Sequence, residues 1–319
     1  MKQYHQMAAV DGGGTKTEFV LFRASGDVLR RVCLGSSNPF DIGFDRTAAL
    51  LREGVERLLQ DTDGIDSLFA GLSGGASGDS TEKLRAIVRG ILPGIPCDAG
   101  SDMINAIASG SLSGDGCALI AGTGSSAFAR VGGTLTRCGG WGYLFDGAGS
   151  GYDLGAGAIA HALRVHDGRC SPSPLSELLE RALGGSPAAQ LTEIYAQGKR
   201  YIASFAPVVF DAFDAGDPTA AALLDRTGAY LAEIASNAAR RAGLAESDVV
   251  CIGGLWKRRD VLLPRVLRGL PEGLHPVFPD APPVFGAAAE AARLAGVPVT
   301  EAFRSRFTTT WRSFANGSV

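Results

Sequence analysis

The sequence predicts an α/β fold made of two related lobes. Its 319 residues exceed the size of one typical domain. Apolar runs of strand length alternate with segments of helical periodicity. A strand, glycine turn and strand at residues 7–22 recur at residues 117–131. Such a repeat at the head of each half indicates an internal duplication.

The first lobe begins with an apolar strand ending at Asp11 and a β-rich strand from Thr17, so residues 12–14 form the turn of a hairpin. Apolar residues at helical spacing predict a helix over residues 45–60. The remaining predicted elements are strands at 28–34, 67–72 and 95–98 and helices at 80–92 and 103–110.

The second half repeats the scheme with strands at 117–121 and 126–131, followed by a largely helical stretch. The later elements are a strand at 249–252 and helices at 259–269, 284–294 and 300–314. We therefore predict a first lobe of residues 1–111, completed by the C-terminal helix 300–319, and a second lobe of residues 112–299.

Composition excludes several classes of protein. With 45% apolar and 20% charged residues the chain is typical of globular proteins. A net charge of -3 argues against a nucleic-acid or anionic-membrane surface. There is no apolar run of about 18 residues and no signal-peptide pattern, so we expect a cytoplasmic protein. The six cysteines form no CxxC pair, which disfavours zinc ribbons and redox motifs.

The sharpest local pattern is Asp11-Gly12-Gly13-Gly14-Thr15-Lys16-Thr17. Three consecutive glycines leave backbone N–H groups unobstructed, and the threonines add hydroxyls, so the turn can hold phosphate oxygens. The preceding carboxylate can hold Mg²⁺. A tight hairpin with a solvated aspartate is the simpler alternative. The recurrence of a glycine turn at residues 122–125 favours the phosphate interpretation.

Four segments together resemble the sugar kinase/actin/heat-shock chaperone superfamily: residues 11–17, 118–125, 249–254 and 282–288. The resemblance implies a two-lobed actin-like ATPase fold, with duplicated ribonuclease H-like domains and a nucleotide cleft between the lobes. It also implies ATP and Mg²⁺ as cofactors, with the metal at Asp11. The implied ATP-binding residues are Asp11, Gly12, Gly13, Gly14, Thr15, Lys16, Thr17, Gly122, Thr123, Gly124, Ser125, Gly253, Gly254 and Lys257.

Two further segments, residues 138–142 and 149–152, are similar to the sugar-binding region of N-acetylglucosamine kinases, in the BadF/BadG-type ATPase group. The resemblance implies phosphorylation of N-acetylglucosamine at its 6-position. The sugar and ATP are the expected partners, and a homodimer is left open. The implied sugar-binding residues are Asn38, Ser73, Gly74, Asp102, Gly140, Trp141 and Asp146. Trp141 would offer apolar surface to the sugar, or be buried between the lobes.

Asp102 is the residue we expect to act as catalytic base. It stands at a strand-to-helix junction between the two glycine turns, where kinases of the superfamily place an aspartate. A carboxylate there can orient a sugar hydroxyl and accept its proton. Two alternatives remain, which are Asp102 as the cap of the following helix and Asp98 as a rival base.

One segment departs from the family pattern. Many members read Gly-Asp-Glu-Gly-Ser where this chain reads Asp146-Gly147-Ala148-Gly149-Ser150. Asp146 would replace the lost carboxylate through a small backbone shift. Otherwise the sugar contacts differ, so glucosamine, N-acetylmuramic acid and glucose stay open as substrates.

Four other functions were weighed. Gly71-Leu72-Ser73-Gly74-Gly75 matches a hydrolase nucleophile elbow, which would need a histidine partner among His161, His166 and His275. Gly122-x-Gly124-x-x-Ala127 matches a dinucleotide fingerprint, yet a strand rather than a helix is expected to follow. A non-catalytic nucleotide or sugar sensor and an activator ATPase complete the alternatives.

Overall fold

The computed structural model of the protein describes residues 5–76, 79–112 and 114–316. Within these residues the strands are β1 (Gln6–Gly12), β2 (Thr17–Arg23), β3 (Val28–Leu34), β4 (Ser67–Leu72), β5 (Cys97–Ser101), β6 (Gly116–Ala121), β7 (Ser125–Val131), β8 (Thr134–Cys138), β9 (Ser247–Ile252) and β10 (Leu274–Val277). The helices are α1 (Pro39–Ile42), α2 (Phe44–Leu59), α3 (Ser80–Ile91), α4 (Asp102–Gly110), α5 (Gly151–His166), α6 (Pro174–Leu183), α7 (Leu191–Ala203), α8 (Ala206–Asp214), α9 (Pro218–Ala242), α10 (Arg259–Leu267), α11 (Pro283–Leu294) and α12 (Glu301–Asn316). In the described chain, every helix is too short or too polar to cross a bilayer.

The strands form two sheets with the same topology. The first has the order β3-β2-β1-β4-β5 and the second the order β8-β7-β6-β9-β10. In the first sheet β1 is antiparallel to β2 and parallel to β4. In the second, β7 is antiparallel to β8, while β9 is parallel to both β6 and β10. The matching order confirms the internal duplication predicted from the two glycine turns, and with it the two-lobed α/β fold.

The chain divides into two compact units, each with one sheet. The first contains the described residues up to Gly116 together with those from Phe278 onwards, and the second is Cys117–Val277. This division differs from the predicted boundary at residue 299, because α11 belongs to the first unit. Nearly all of its side chains are buried, and it packs against α4, β1 and β4 of the first sheet.

Helices cover both faces of the first sheet. Along β2 the side chains alternate, so Phe19 and Phe22 enter different cores. Phe19 packs with residues of α2 and α3. Phe22 packs edge-on against Phe303 and Phe307 of α12, at ring centroid distances of 6.0 and 5.8 Å. The C-terminal helix therefore completes the core on this face of the sheet.

A buried polar cluster also fixes α12 to the first sheet. Glu18 of β2 is 4% exposed, and its Oε1 accepts hydrogen bonds from Arg31 Nε and Trp311 Nε1, each at 2.6 Å. The guanidinium of Arg31 lies over the Trp311 ring, 5.2 Å from its centroid. A buried carboxylate is stable only with such partners, so this cluster fixes where the helix docks.

Candidate functional site

In the first unit, the glycine turn is the hairpin that the sequence predicts. Gly12 pairs with Thr17, and the Gly13 N–H donates to the Lys16 carbonyl at 2.9 Å. The Thr17 side chain is fully buried, and its hydroxyl donates to a backbone carbonyl of the next loop. Lys16 lies 3.7 Å from Glu18. Thr17 thus holds the turn in shape, while the glycines leave its backbone accessible.

Hydrogen bonds join this turn to the two loops predicted to bind sugar. The Gly13 carbonyl accepts from Ser37 N at 3.2 Å, and the Gly12 carbonyl accepts from Ser73 N at 2.7 Å. The two loops also touch each other, since a Cβ placed on Gly74 would lie 2.9 Å from Asn38 Oδ1. The structure therefore brings the turn, Asn38, Ser73 and Gly74 together.

The amide of Asn38 has a fixed orientation. Its Oδ1 accepts from the Phe40 N–H at 3.1 Å and so caps α1. Its Nδ2 donates to Asp41 Oδ2 at 2.9 Å. Because Nδ2 carries two hydrogens, one donor remains for a ligand. Asp41 was not anticipated from the sequence, where it appears as an ordinary acidic residue after Asn38-Pro39-Phe40.

Asp102 is the first residue of α4, and its carboxyl accepts a hydrogen bond from the Met103 N–H at the start of that helix. The cap is Ser101, whose hydroxyl accepts from the Met103 N–H at 3.2 Å. The Ser101 hydroxyl in turn donates to Asp102 Oδ1 at 3.1 Å, and Ser73 also hydrogen-bonds this carboxyl. Burial raises the pKa of Asp102 above its ordinary value, and these hydrogen bonds only partly oppose that rise. A base with a raised pKa holds a transferred proton more readily.

The rival base Asp98 is neutralised by two arginines. Its Oδ1 lies 3.1 Å from Arg85 Nε and 3.2 Å from Arg89 Nη2. A sugar hydroxyl would have to displace these arginines to reach the carboxylate. The geometry favours Asp102.

Asp11 lies at the end of β1 and is largely buried. Its Oδ1 accepts from Asn105 Nδ2 at 2.7 Å, and the same Nδ2 donates to the Gly71 carbonyl at 3.3 Å. Burial raises the pKa of Asp11 from 3.8 to about 6, with smaller contributions from the negative charges of Asp102 and Glu18 and an opposing one from the Asn105 hydrogen bond. The second oxygen of Asp11 remains for a cation or a water.

The chemistry of this carboxylate fits Mg²⁺. Magnesium is usually held by one or two carboxylates, with waters and substrate phosphates completing the shell. The described residues contain no cluster of three or more potential metal ligands, so Asp11 would hold the metal as part of a shared shell. A divalent cation would also offset the cost of the buried negative charge.

In the second unit, the turn at residues 122–125 leads from β6 into β7. Its carbonyls are engaged, since Gly122 O accepts from Gly151 N at 2.7 Å and Thr123 O accepts from Tyr152 N at 3.3 Å. The Ser125 hydroxyl donates to the Ala148 carbonyl. The turn is therefore fastened to the start of α5 and to the loop before it.

The predicted adenosine turn lies beside the turn at residues 122–125. A Cβ on Gly122 would be 3.7 Å from Gly254 N. Gly253 has φ of 113°, and a side chain there would collide with the Ala121 carbonyl, so only glycine is accommodated. Lys257 follows in a short 3-10 segment, Gly254–Arg258, and is exposed. The structure thus places Gly253 and Gly254 against the turn at residues 122–125.

The loop after β8 presents aromatic surface. Trp141 is 68% exposed, and Arg137 stacks on its ring at 4.5 Å. The Asp146 carboxylate accepts from the Tyr230 hydroxyl and from Trp141 N at 3.3 Å, and the Arg137 guanidinium donates to the Gly140 carbonyl. Asp146 thus stabilises the loop after β8 through these hydrogen bonds.

Contacts in the two units argue against the hydrolase and dinucleotide interpretations. The Ser73 side chain hydrogen-bonds Asp102 rather than a histidine. His161 lies in the second unit, where its Nε2 is 2.9 Å from Ser173 Oγ. The segment after the turn of residues 122–125 is strand β7, as expected, and not the helix that a dinucleotide fold requires.

Comparison with known proteins agrees with this geometry. The family model of BadF/BadG/BcrA/BcrD ATPases matches residues 9–291, nearly the whole chain. The chain belongs to the BadF/BadG/BcrA/BcrD ATPase family. The matched span includes both glycine turns, Asp102 and the other predicted site residues.

The chain is similar to proteins and solved structures that are named as sugar kinases. An N-acetyl-D-glucosamine kinase of Dictyostelium discoideum is 27% identical over 275 residues, covering 79% of this chain and 86% of the relative. An N-acetylmuramic acid/N-acetylglucosamine kinase of Clostridium acetobutylicum is 31% identical over 220 residues, covering 65% and 71%. The structure of a candidate N-acetylglucosamine kinase of Chromobacterium violaceum has a TM-score of 0.65 and 26% identity, covering 91% of this chain and 99% of its own.

Three residues at the site were not anticipated from the sequence. Asn105 is fully buried against Asp11, Asp41 holds Asn38, and Tyr230 holds Asp146. Asn105 could have been noticed as a polar residue inside a helix of small apolar residues. Tyr230 is far from Asp146 in the chain, and no local pattern connects them.

Proposed function

We propose that the protein is an ATP-dependent kinase that phosphorylates an amino sugar, most directly N-acetylglucosamine at its 6-hydroxyl. The observation that carries this proposal is the setting of Asp102. Its carboxyl is buried, has a raised pKa and hydrogen-bonds Ser73 of a predicted sugar loop, in a chain of an ATPase family.

The proposed reaction is a single in-line transfer. The Asp102 carboxylate accepts the proton of the sugar hydroxyl while that oxygen forms a bond to the γ-phosphorus of ATP. The bond between the γ-phosphorus and the bridging oxygen breaks, and its electron pair leaves with ADP. Mg²⁺ held at Asp11 would supply charge neutralisation at the phosphates.

The residues proposed for this reaction occur in both units. The first provides Asp11, Asp102 and the sugar loops with Asn38, Ser73 and Gly74. The second provides the nucleotide residues, which are Gly122, Thr123, Gly124, Ser125, Gly253, Gly254 and Lys257, and the loop with Gly140, Trp141 and Asp146. The Gly12–Lys16 turn adds backbone donors for phosphate oxygens.

The choice of sugar rests on the relatives. The proteins of Dictyostelium discoideum and Clostridium acetobutylicum both carry N-acetylglucosamine in their names, and the second also carries N-acetylmuramic acid. A glucosamine kinase of Vibrio cholerae is 25% identical over 227 residues, covering 69% of this chain and 76% of its own. N-acetylglucosamine is therefore the first substrate to test, with the other two amino sugars as the comparison.

The test is ADP release from Mg²⁺-ATP by the purified protein across a sugar panel. The panel contains N-acetylglucosamine, glucosamine, N-acetylmuramic acid, N-acetylmannosamine and glucose, with a control lacking sugar. We expect stimulation by an amino sugar and a sugar phosphate product by mass spectrometry. ATP binding without stimulation by any sugar would contradict the kinase proposal and favour a sensor or an activator ATPase.

The role of Asp102 has its own test. Asp102→Asn keeps the shape of the side chain but cannot accept the proton, so we expect kcat to fall by roughly 10²- to 10⁴-fold with ATP affinity retained. Asp98→Asn is the matched control, because Asp98 is an ion-paired aspartate four residues earlier. An Asp102→Asn enzyme with near-normal kcat would refute the assignment.

A further inference from the structure

A lysine from α7 reaches the phosphate turn of the second unit. Lys199 Nζ would lie 3.5 Å from a Cβ placed on Gly124. Lys199 is half-buried, and its ammonium sits over the ring of Tyr143 at 5.6 Å from the centroid. No motif in the sequence connects this lysine with residues 122–125, because the two are separated by most of the helical stretch.

A break in α7 sets the position of this lysine. Gly198, the residue before it, has φ of 68° and ψ of -158° within an otherwise helical segment. Only glycine adopts this conformation readily. The helix therefore restarts at Lys199, and its side chain points in a different direction from the one that an unbroken helix would give.

The charge of Lys199 is not neutralised by the protein. Among the described residues, no carboxylate lies within ion-pair distance of its ammonium, whereas Lys16 in the first unit has Glu18 at 3.7 Å. The contact with Tyr143 is worth only about 0.5–1 kcal/mol in a partly exposed position. The carbonyls of Gly122 and Thr123, which would repel an anion, already accept from Gly151 and Tyr152. An uncompensated cation beside this turn is a binding site for an anion.

We infer that Lys199 binds a terminal phosphate of the nucleotide at the Gly124 turn and stabilises the charge that develops on it during transfer. This inference rests on the proposed kinase function and adds a residue that the family motifs in the sequence do not include. The ammonium is a compact point charge suited to phosphate oxygens. Backbone N–H groups and the ammonium would then contact the same phosphate.

The test compares Lys199→Met and Lys199→Arg with the wild-type enzyme. Loss of one charge-assisted contact predicts that the Kd of ATP and of ADP rises roughly 10- to 100-fold in Lys199→Met, while adenosine binding is unchanged. Lys199→Arg restores most of the affinity for ATP. The matched control is Lys83→Met, which removes an exposed lysine that also lies over an aromatic ring, that of Phe44 at 5.3 Å.

A second measurement uses the wild-type protein and does not depend on the folding of any variant. Lysines are acetylated with a water-soluble reagent, and the modification of each is followed by mass spectrometry. ATP should slow the acetylation of Lys199 at least several-fold, adenosine should not, and Lys83 should react equally in all samples.

The outcomes separate this inference from the proposed function. A wild-type protein that phosphorylates a sugar, with Lys199→Met unchanged in ATP affinity and Lys199 unprotected by ATP, would overturn the role of Lys199 alone. A wild-type protein that does not bind ATP would overturn both. A weaker affinity for adenosine in Lys199→Met, equal to the loss for ATP, would indicate a general structural role and would also overturn the inference.

Discussion

Replacing Asp11 by asparagine should stabilise the metal-free and nucleotide-free protein at neutral pH. Burial is the main cause that raises the pKa of this carboxyl from 3.8 to about 6 in the folded protein. The ionised form of Asp11 is therefore less favourable in the folded protein than in the unfolded chain. At a pH where Asp11 is ionised in both the folded and the unfolded chain, this pKa shift lowers the free energy of unfolding by about 3 kcal/mol. Asparagine lacks the charge and keeps an oxygen to accept the hydrogen bond from Asn105.

The sign of the pH dependence follows from the protons bound in each state. Below pH 3.8 Asp11 is protonated in both states and contributes nothing. Between pH 3.8 and about 6 the folded chain keeps a proton that the unfolded chain has lost, so the free energy of unfolding falls as the pH rises. Above about pH 6 the whole cost is present. The stability gained by Asp11→Asn should therefore grow from near pH 4 to pH 7.

Urea unfolding in EDTA, at several pH values, measures this difference. Trp311 reports on the first unit, because it packs on Glu18 of β2. We would use a background in which Trp141 and Trp256 are phenylalanine, so that fluorescence follows that unit alone. The control is Asp63→Asn, which removes one charge from an exposed position in the same unit.

Other carboxyls titrate equally in the variant and its parent, so the difference between them isolates Asp11. A gain of roughly 2–3 kcal/mol between pH 4 and pH 7 is expected, with none for Asp63→Asn. A difference that is independent of pH, or a variant that loses stability as the pH rises, would refute the reasoning. Activity should fall in the same variant, since a neutral amide is a poor ligand for Mg²⁺.

Two further predictions concern the second unit. Gly253→Ala should destabilise this unit by about 1–3 kcal/mol and weaken ATP binding, because φ of 113° disfavours alanine and the new Cβ meets the Ala121 carbonyl. Thermal unfolding and ATP titration measure these effects, and an unchanged melting temperature would contradict the prediction. Tyr230→Phe should remove the hydrogen bond to Asp146 and raise the KM of the sugar several-fold while leaving the KM of ATP unchanged. An equal change in both KM values would show that Tyr230 acts through general stability.

Local patterns predicted the parts of the fold that depend on neighbouring residues. Glycine turns between apolar strands predicted both hairpins, and their repetition predicted the duplicated topology. Strand β8 was not predicted, because Thr134–Cys138 is only half-buried and lacks a continuous apolar run. Strand β10 was also not predicted, since it has four residues and includes Pro276. Short edge strands depend on a partner that the sequence does not reveal locally.

Long-range packing accounts for what the sequence did not predict about the site. The small apolar residues of α11 could cover either sheet, so only the three-dimensional contacts show that this helix belongs to the first unit. Asn105 and Lys199 lie beside residues distant in the chain, Asp11 and Gly124. The strand-to-helix junction at Asp102 is a local feature, and the structure confirms it, since β5 ends at Ser101 and α4 begins at Asp102.

The discontinuity of the first unit has a consequence for synthesis on the ribosome. Its early strands emerge long before α11 and α12, whose side chains cover Phe22 and its neighbours on one face of the sheet. The second unit, Cys117–Val277, is continuous and can complete its core as soon as it emerges. The nascent chain thus carries an open apolar sheet face while a later segment is already folded, a state prone to aggregation and a natural target for chaperones.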